Sequence, residues 1–494
     1  MYFLDFIGSN SEIENLQPIL REPDIHWSKI AIMGRLALML FALSFLALML
    51  LAWPAQPQDA VINWTDVHQE IDGFGGSCAD FHKAFSPKMV DFFFSTSGIG
   101  LSLLRVQVVP SAADCASFFV PNGGSCMAVP SGATILRGEL SIAQQAVARG
   151  VKVWSAPWSP PASMKSNGSF INGGSLLRAD YSAWADTLAG YVKMMNSNGV
   201  PIYAMSVQNE PDNAQSWGSA TYTAQQMHDF VPHLYSALQS AGVGSTKIMI
   251  AEAAQWDFSL AAVAMDDPTV AGDVGILAAH GYGSARILAP RTYGKHVWQT
   301  ENSSTSLTYD GSMKDGLSWA SVIHRYLAVA NVNAWHAWFL SDGPDYGGGT
   351  DNAALTDIDL NYPKRAYVIG QWSKFVRPGW YRIGVSYSFG PLGLTAFKDP
   401  DSRSFAIVAI NPGRIRVRQT FSLNGFSTNA VTPWITSARL SLAAQPPISV
   451  SGASFTYTLP ASSVTTFSGS ATQSATNTGF TPKREWMTDL VSNR

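Results

Sequence analysis

Between residues 71 and 340, short apolar runs alternate with longer stretches in which apolar side chains return every third or fourth position. The short runs predict strands at Ile71–Gly76, Leu101–Val108, Val151–Ala156, Ile202–Gln208, Lys247–Ala251, Val274–His280, His296–Thr300 and Val332–Trp338. The longer stretches predict helices, most clearly over Leu140–Arg149, Tyr181–Asn198 and Gln225–Ala241. Strands that alternate with helices pair in parallel, because the helix is the crossover that brings the chain back. Eight such units predict an α/β fold, a (β/α)8 TIM barrel.

After Tyr362 the apolar period shortens to two. Strands are predicted over Arg377–Ser388, Leu394–Lys398, Ser404–Asn411, Arg416–Ser422, Ala438–Ser441, Ser454–Leu459 and Val464–Ser468, the pattern of an antiparallel β-sandwich side domain. Ala60–Glu70, just ahead of the barrel, is expected to pair into that sheet. The expected organisation is therefore an apolar N-terminal segment at 1–59, a sandwich strand at 60–70, a barrel at 71–362, the sandwich at 363–469 and a tail at 470–494. The tail is rich in Ser, Thr and Asn, which predicts disorder.

The N-terminal segment changes the picture of where the protein works. Lys29 and Arg35 precede an uncharged apolar run from Leu36 to Trp53, followed by Pro54 and Ala55. A basic flank, an apolar stretch and small residues make an export signal, and Met33 begins a segment of ordinary signal length. At about 18 residues the run also reaches the lower limit of a membrane-spanning helix, which leaves a membrane tether open. Both readings put the folded part outside the cytoplasm.

Hydrophobic residues make up 46% of the chain and charged residues 14%, the balance of a globular protein with a large core. The net charge of −3 and the lack of a basic run argue against nucleic acid as a partner. The 16 Trp, 16 Tyr and 25 Phe suit a carbohydrate-binding protein, since sugar rings stack on aromatic faces, although most of these rings are expected in the core. Cys115 and Cys126 bracket a short loop and could bridge after export, leaving Cys78 as a buried thiol. Neither CxxC nor HExxH spacing occurs, so no metal site and no cofactor are expected.

In a barrel of this kind the working side chains sit at the carboxyl ends of the strands. Glu210 closes the run Ala204-Met205-Ser206-Val207-Gln208-Asn209-Glu210 after the fourth strand, and Glu301 closes Val297-Trp298-Gln299-Thr300-Glu301 after the seventh. They lie 91 residues apart, close to three strand–helix units of about 30 residues each, so both point into one cleft. Cleaving a glycosidic bond needs such a pair: one carboxyl protonates the departing oxygen, and the other attacks the anomeric carbon or activates water. Each residue also has a plainer reading. Glu210 precedes Pro211 and could simply start a helix, and Glu301 could pair with a nearby Lys or Arg.

Four segments carry a resemblance to a known family. Asp72-Gly73-Phe74-Gly75-Gly76, Trp158-Ser159-Pro160-Pro161-Ala162-Ser163-Met164-Lys165, Ser206-Val207-Gln208-Asn209-Glu210-Pro211-Asp212 and Gln371-Trp372-Ser373-Lys374-Phe375-Val376-Arg377-Pro378-Gly379 resemble glycoside hydrolase family 30, in the same order, from about Ala60 to Ser468. The resemblance implies a retaining mechanism with a covalent glycosyl-enzyme intermediate, no metal, Glu210 as general acid/base and Glu301 as nucleophile. It further implies that Asn209 hydrogen-bonds the sugar 2-hydroxyl, that Arg105 keeps the nucleophile ionised, and that Tyr282 reaches Glu301 or the sugar. Trp158 and Trp338 are implied as sugar-stacking rings and His280 as a further substrate contact, each with barrel packing as the alternative. On this reading Glu301 stays ionised while Glu210 holds a proton to donate.

Gly100-Leu101-Ser102-Leu103-Leu104-Arg105 and Asn198-Gly199-Val200-Pro201-Ile202-Tyr203-Ala204 resemble the bacterial xylanase branch most, whereas Asp72–Asp80 is nearer the glucosylceramidase-like members. The loop from Phe339 to Tyr346 has Asp342 and Asp345 and no Arg, a composition that should repel a glucuronate side chain. The expected substrate partner is a β-linked polysaccharide, xylan first, with β-1,6-glucan or a glucosylceramide-like glycoside next. A non-catalytic carbohydrate-binding protein could keep the barrel, but it would have little reason to keep both glutamates.

Overall fold

A computed structural model describes residues 59–474 apart from 129–131, 284, 305, 307, 342–351, 358 and 388–391. The N-terminal apolar run, with the export signal and tether expected of it, lies outside the described residues, as do Asp342, Asp345 and the tail beyond 474. Among the described residues no helix is long and apolar enough to cross a membrane.

The described residues open with β1 (Ala60–Ile71) and then enter a closed parallel barrel. Its strands are β2 (Gly73–Ser77), β3 (Leu103–Val108), β4 (Lys152–Pro157), β5 (Ile202–Ser206), β6 (Lys247–Gln255), β7 (Val274–Tyr282), β8 (His296–Gln299) and β9 (Ala334–Phe339). All eight predicted strands are present in the predicted order, and the helices Arg137–Val147, Tyr181–Ser197 and Ala224–Ser240 stand where the 3.6-residue period put them. Nearly every residue of these strands is buried, as expected when helices cover the outside and side chains fill the inside.

Large rings occupy the barrel interior. Trp154 and Trp298 meet edge to face with centroids 6.2 Å apart, and His336 accepts a hydrogen bond from Trp154 Nε1 at 3.1 Å. That bulk explains the glycines of β2. A Cβ on Gly75 would lie 2.5 Å from His336 and 2.7 Å from the Leu103 carbonyl, so only a bare backbone fits there.

The remaining strands are β10 (Trp380–Ser386), β11 (Gly393–Lys398), β12 (Ser404–Asn411), β13 (Val417–Asn424), β14 (Phe426–Ser427), β15 (Ala430–Thr436), β16 (Ala443–Ala444), β17 (Ile448–Ser449), β18 (Ser454–Leu459), β19 (Ser463–Ser470) and β20 (Gln473–Ser474). Most form one curled sheet in the order β16-β15-β19-β12-β11-β10-β1-β13-β18, closed over a core that includes Trp64, Phe405, Phe421, Phe455 and Phe467. β1 lies antiparallel to β10 and parallel to β13, a parallel pair in a sheet expected to be antiparallel throughout. The predicted strand Ala438–Ser441 is a turn, with Ser437 N donating to the Leu440 carbonyl at 2.9 Å. The strand in that region is β15, which contains Pro433. Proline has no N–H for a ladder, so the run did not read as a strand, yet here only the short β16 and β17 flank its outer side. β20 pairs with β14 in a separate two-stranded sheet.

Helix Lys364–Ser373 joins sheet and barrel. Gln371 Nε2 donates to Thr436 Oγ1 at 2.8 Å, Thr466 Oγ1 donates to Gln371 Oε1 at 2.6 Å, and Trp372 Nε1 donates to Thr395 Oγ1 at 3.1 Å. These side chains come from the motif that begins at Gln371, so its role is to seat the sheet.

Candidate active site

After β5 the chain bends and carries Glu210 to the barrel mouth. Asn209 N donates to the Pro157 carbonyl at 2.9 Å and Glu210 N to the Glu252 carbonyl at 3.1 Å. Glu210 then adopts φ 44°, a left-handed conformation costly for a residue with a Cβ. Glu301 follows β8, its carbonyl accepting from Gly281 N at 2.8 Å. One carboxylate oxygen of Glu210, one of Glu301 and a ring nitrogen of His280 all lie within 4.8 Å of one another. Both glutamates line a cavity of about 920 Å³ together with Asp80, Gln107, Phe118, Trp158, Tyr282 and Trp338.

The two carboxylates are held differently. Arg105, fully buried in β3, donates Nη1 to Glu301 Oε2 and Nη2 to Asn209 Oδ1. Tyr282 donates its hydroxyl to the other Glu301 oxygen at 2.7 Å. Glu301 is therefore grasped from both sides by donors. Glu210 instead meets His280 Nδ1 at 3.1 Å and accepts from Asn213 Nδ2 at 3.0 Å. Trp158 and Trp338 stand 5.9 Å apart over this floor, with the Arg105 guanidinium 4.6 Å from the Trp158 ring. Asn209, Trp158, Tyr282 and Trp338 thus face the cleft, whereas Arg105 and His280 lie beneath it; Arg105 reaches Glu301, and His280 is too deeply buried for the substrate contact expected of it.

Burial by itself would lower the His280 pKa. The Glu301 charge, the hydrogen bonds to Glu210 and Glu252 and the Glu210 charge outweigh it and raise it to about 10. For Glu210, burial pushes its pKa upward, but the hydrogen bond and charge of His280 outweigh it, with Asn213 and Arg105 adding to the effect, and hold it below the ordinary value. This corrects the expectation that Glu210 itself stores the proton. In the free protein the proton resides on His280, one hydrogen bond away. Glu210, His280 and Glu301 are close enough to share a metal ion, but Arg105 already neutralises Glu301 and both His280 nitrogens face carboxylates. Their chemistry is that of an ion-pair network.

Comparison with known proteins agrees with this geometry. Residues 132–271 match the model of O-glycosyl hydrolase family 30. The crystal structure of a glycoside hydrolase family 30 subfamily 8 xylanase, Xyn30A from Clostridium acetobutylicum, is 32% identical, covers 84% of this chain and 100% of its own, and superposes with a TM-score of 0.72. The chain belongs to glycoside hydrolase family 30. It is also similar to glucuronoxylanase XynC of Bacillus subtilis (strain 168), 29% identical over 83% of this chain and 91% of that protein. Lysosomal acid glucosylceramidase of Mus musculus is 23% identical over 69% of this chain and 75% of its own length. The protein is an O-glycosyl hydrolase.

One residue at the centre of this family 30 site escaped the sequence reading. Glu252 is fully buried at the mouth end of β6. Its carboxylate accepts from Arg105 Nη2 at 2.8 Å and from Ser206 Oγ, and lies 3.4 Å from His280 Nε2. It links the cation under Glu301 to the cation beside Glu210. Ala251 and Glu252 both have left-handed backbone, φ 70° and 48°, so the strand is distorted to bring the carboxylate in. The strand-end rule that found Glu210 and Glu301 would have found it too, since it immediately follows the predicted strand Lys247–Ala251. A search for one pair stopped short of the third acid.

Proposed function

We propose that the chain is a retaining endo-β-1,4-xylanase. The observation that carries the retaining mechanism is the close approach of the carboxylates, with the nearest oxygens within 4.8 Å. Retaining glycosidases hold their carboxyl groups about 5–5.5 Å apart, and inverting ones about 6.5–9.5 Å apart to admit a water. Glu301, grasped by Arg105 and oriented by Tyr282, attacks the anomeric carbon. Glu210, given its proton by His280, protonates the departing oxygen; the carboxylate so formed then takes a proton from the water that releases the sugar and returns it to His280. Asn209, oriented by Arg105, meets the sugar 2-hydroxyl, a contact that strengthens as positive charge develops on the ring.

The preference for xylan draws on the two xylanase relatives and on the resemblances around Arg105 and Ile202. A second reading, cleavage of a glucose-based β-glycan or glycoside, is favoured by Asp80. Its carboxyl lines the cleft, is raised to about 6 by burial, and offers acceptor oxygens to a hydroxyl. A hexose carries a 6-hydroxyl that xylose lacks. Export is part of the proposal: the Cys115–Cys126 bridge and the basic-then-apolar N-terminal segment both suit an oxidising compartment outside the cytoplasm.

The test is reducing-sugar release from xylan, glucuronoxylan, β-1,6-glucan and an aryl β-glucoside, with Glu210→Gln as control. Xylan cleavage without need of glucuronate, yielding several oligosaccharide lengths with retained anomeric configuration, is expected. Inverted products would reject the mechanism, and activity confined to glucosides would replace the substrate.

A further inference from the structure

One wall of the cleft is an excursion after β3, described over residues 111–128 and 132–136. Cys115 and Cys126 are bridged across it, and backbone pairs Val109–Thr134 and Cys126–Leu136 close its base. Val109, Cys115, Phe119 and Leu136 form a small core separate from that of the barrel. Cys115–Phe119 is a single π-helical turn, a geometry that concentrates at functional sites. Phe118 sets its ring against Phe170 of the neighbouring loop, 4.6 Å between centroids, and both Phe118 and Phe119 line the cavity that holds Glu210 and Glu301.

A polar group lines the same cavity. Gln107, near the mouth end of β3, is 4% exposed, and among the described residues its Oε1 has no hydrogen-bond partner. A buried amide oxygen without a donor is costly. A sugar hydroxyl is such a donor, and the C–H face of a pyranose lies flat on phenyl rings. Apolar walls with a few aimed polar groups are the usual make-up of a specific ligand pocket.

We propose that Gln107, Phe118 and Phe119 form an accessory pyranose subsite, and that the Cys115–Cys126 bond sets its shape. It takes a sugar unit of the β-glycan other than the one whose anomeric carbon is attacked. The proposal rests on the reading of the cleft as a site for a chain of β-linked sugars. Glu210 and Glu301 are held by Arg105, Tyr282, His280 and Asn213, so the subsite can be altered while they stay in place.

The test compares kcat/KM on single-sugar aryl β-xyloside and β-glucoside with kcat/KM on the oligosaccharides of each series. Gln107→Leu, Phe118→Ala and the double variant Cys115→Ser/Cys126→Ser are each expected to cut the gain with chain length by about tenfold. Single-sugar turnover should stay within about twofold. Dithiothreitol should give the unaltered enzyme the behaviour of the double variant and leave the double variant unchanged. Calorimetric binding of the same oligosaccharides in a Glu301→Gln background repeats the comparison without turnover. Equal losses on short and long substrates, or an unchanged gain with length, would overturn the proposal. Failure of the xylan reading shows separately, as a gain in the glucoside series alone, and the variants are then compared in that series.

Discussion

Three histidines, two buried and one half-buried, stand at three heights of one barrel, and their neighbours decide their charge. His336, in the middle, is fully buried among Trp154 and Trp298 and donates Nδ1 to the Gln299 carbonyl at 2.8 Å. Burial pushes its pKa down to about 3. His280, at the mouth, is just as buried, yet Glu301, Glu210 and Glu252 raise it to about 10. His296, at the base, sits 2.6 Å from Asp72 Oδ2, and that carboxylate, with a smaller contribution from Glu70, raises it against the effect of burial. Depth does not set the charge; the count of carboxylates does. The mouth has three of them and left-handed backbone at Glu210, Ala251 and Glu252, whereas Asp72, His296 and Trp298 at the base have none of that strain. Charge at the base is structural, and charge at the mouth is held in readiness.

The sharpest way to break this contrast is at Glu210 and Glu301. Glu210→Gln should lower kcat by about 10²–10⁴-fold, and Glu301→Gln by more, with the melting temperature maintained or raised as like charges are relieved. Near-normal turnover in either variant would remove the mechanism. Glu252→Gln comes next. It should cost on the order of 10²-fold in kcat, because both cations beneath the site lose their shared partner. It should also lower unfolding free energy by about 3 kcal/mol, since one partner of a buried ion pair is gone. Denaturant unfolding and steady-state kinetics measure the two together, and a stability loss with unchanged kcat would demote Glu252 to a scaffold residue.

His280→Gln should act mainly through pH. The proton shared by His280 and Glu210 is lost from the pair, so the alkaline limb of kcat/KM should move down by on the order of one pH unit. Stability gives an independent check. The folded pKa of His280 lies above the ordinary 6.5, so its stabilisation is complete below about pH 6.5 and is lost as pH rises to about 10. Melting curves across that window should flatten in the variant. The smallest effect on catalysis is expected at the base. Asp72→Asn weakens the contacts to His296 and Trp298 and should cost about 1–3 kcal/mol of stability while leaving kcat/KM within about twofold.

The barrel was legible because its signal is repeated. Eight apolar runs at regular spacing leave little freedom, and the rule that function gathers at strand ends then pointed to Glu210 and Glu301. The sheet was less legible because its pairings are distant in sequence. Nothing local tells that β1 will run parallel to β13, and Pro433 hid β15. In the site, the acids could be read from position, but the proton could not. Whether Glu210 or His280 carries it depends on distances of about 3 Å between β5, β6 and β7, which only the closed barrel sets.

The position of β1 also bears on how the protein is made. Its partner strand begins at Trp380, and the hydrogen bond from Tyr381 to Glu70 spans 311 residues. At the pace of translation, roughly 5–20 residues per second, β1 waits roughly 15–60 s with both edges unpaired while the whole barrel is synthesised. The first strand out of the ribosome is among the last to find its place. Nascent chains of this protein should therefore depend on whatever shields an apolar strand edge during synthesis, and truncation before β10 should yield a product that aggregates rather than a smaller enzyme.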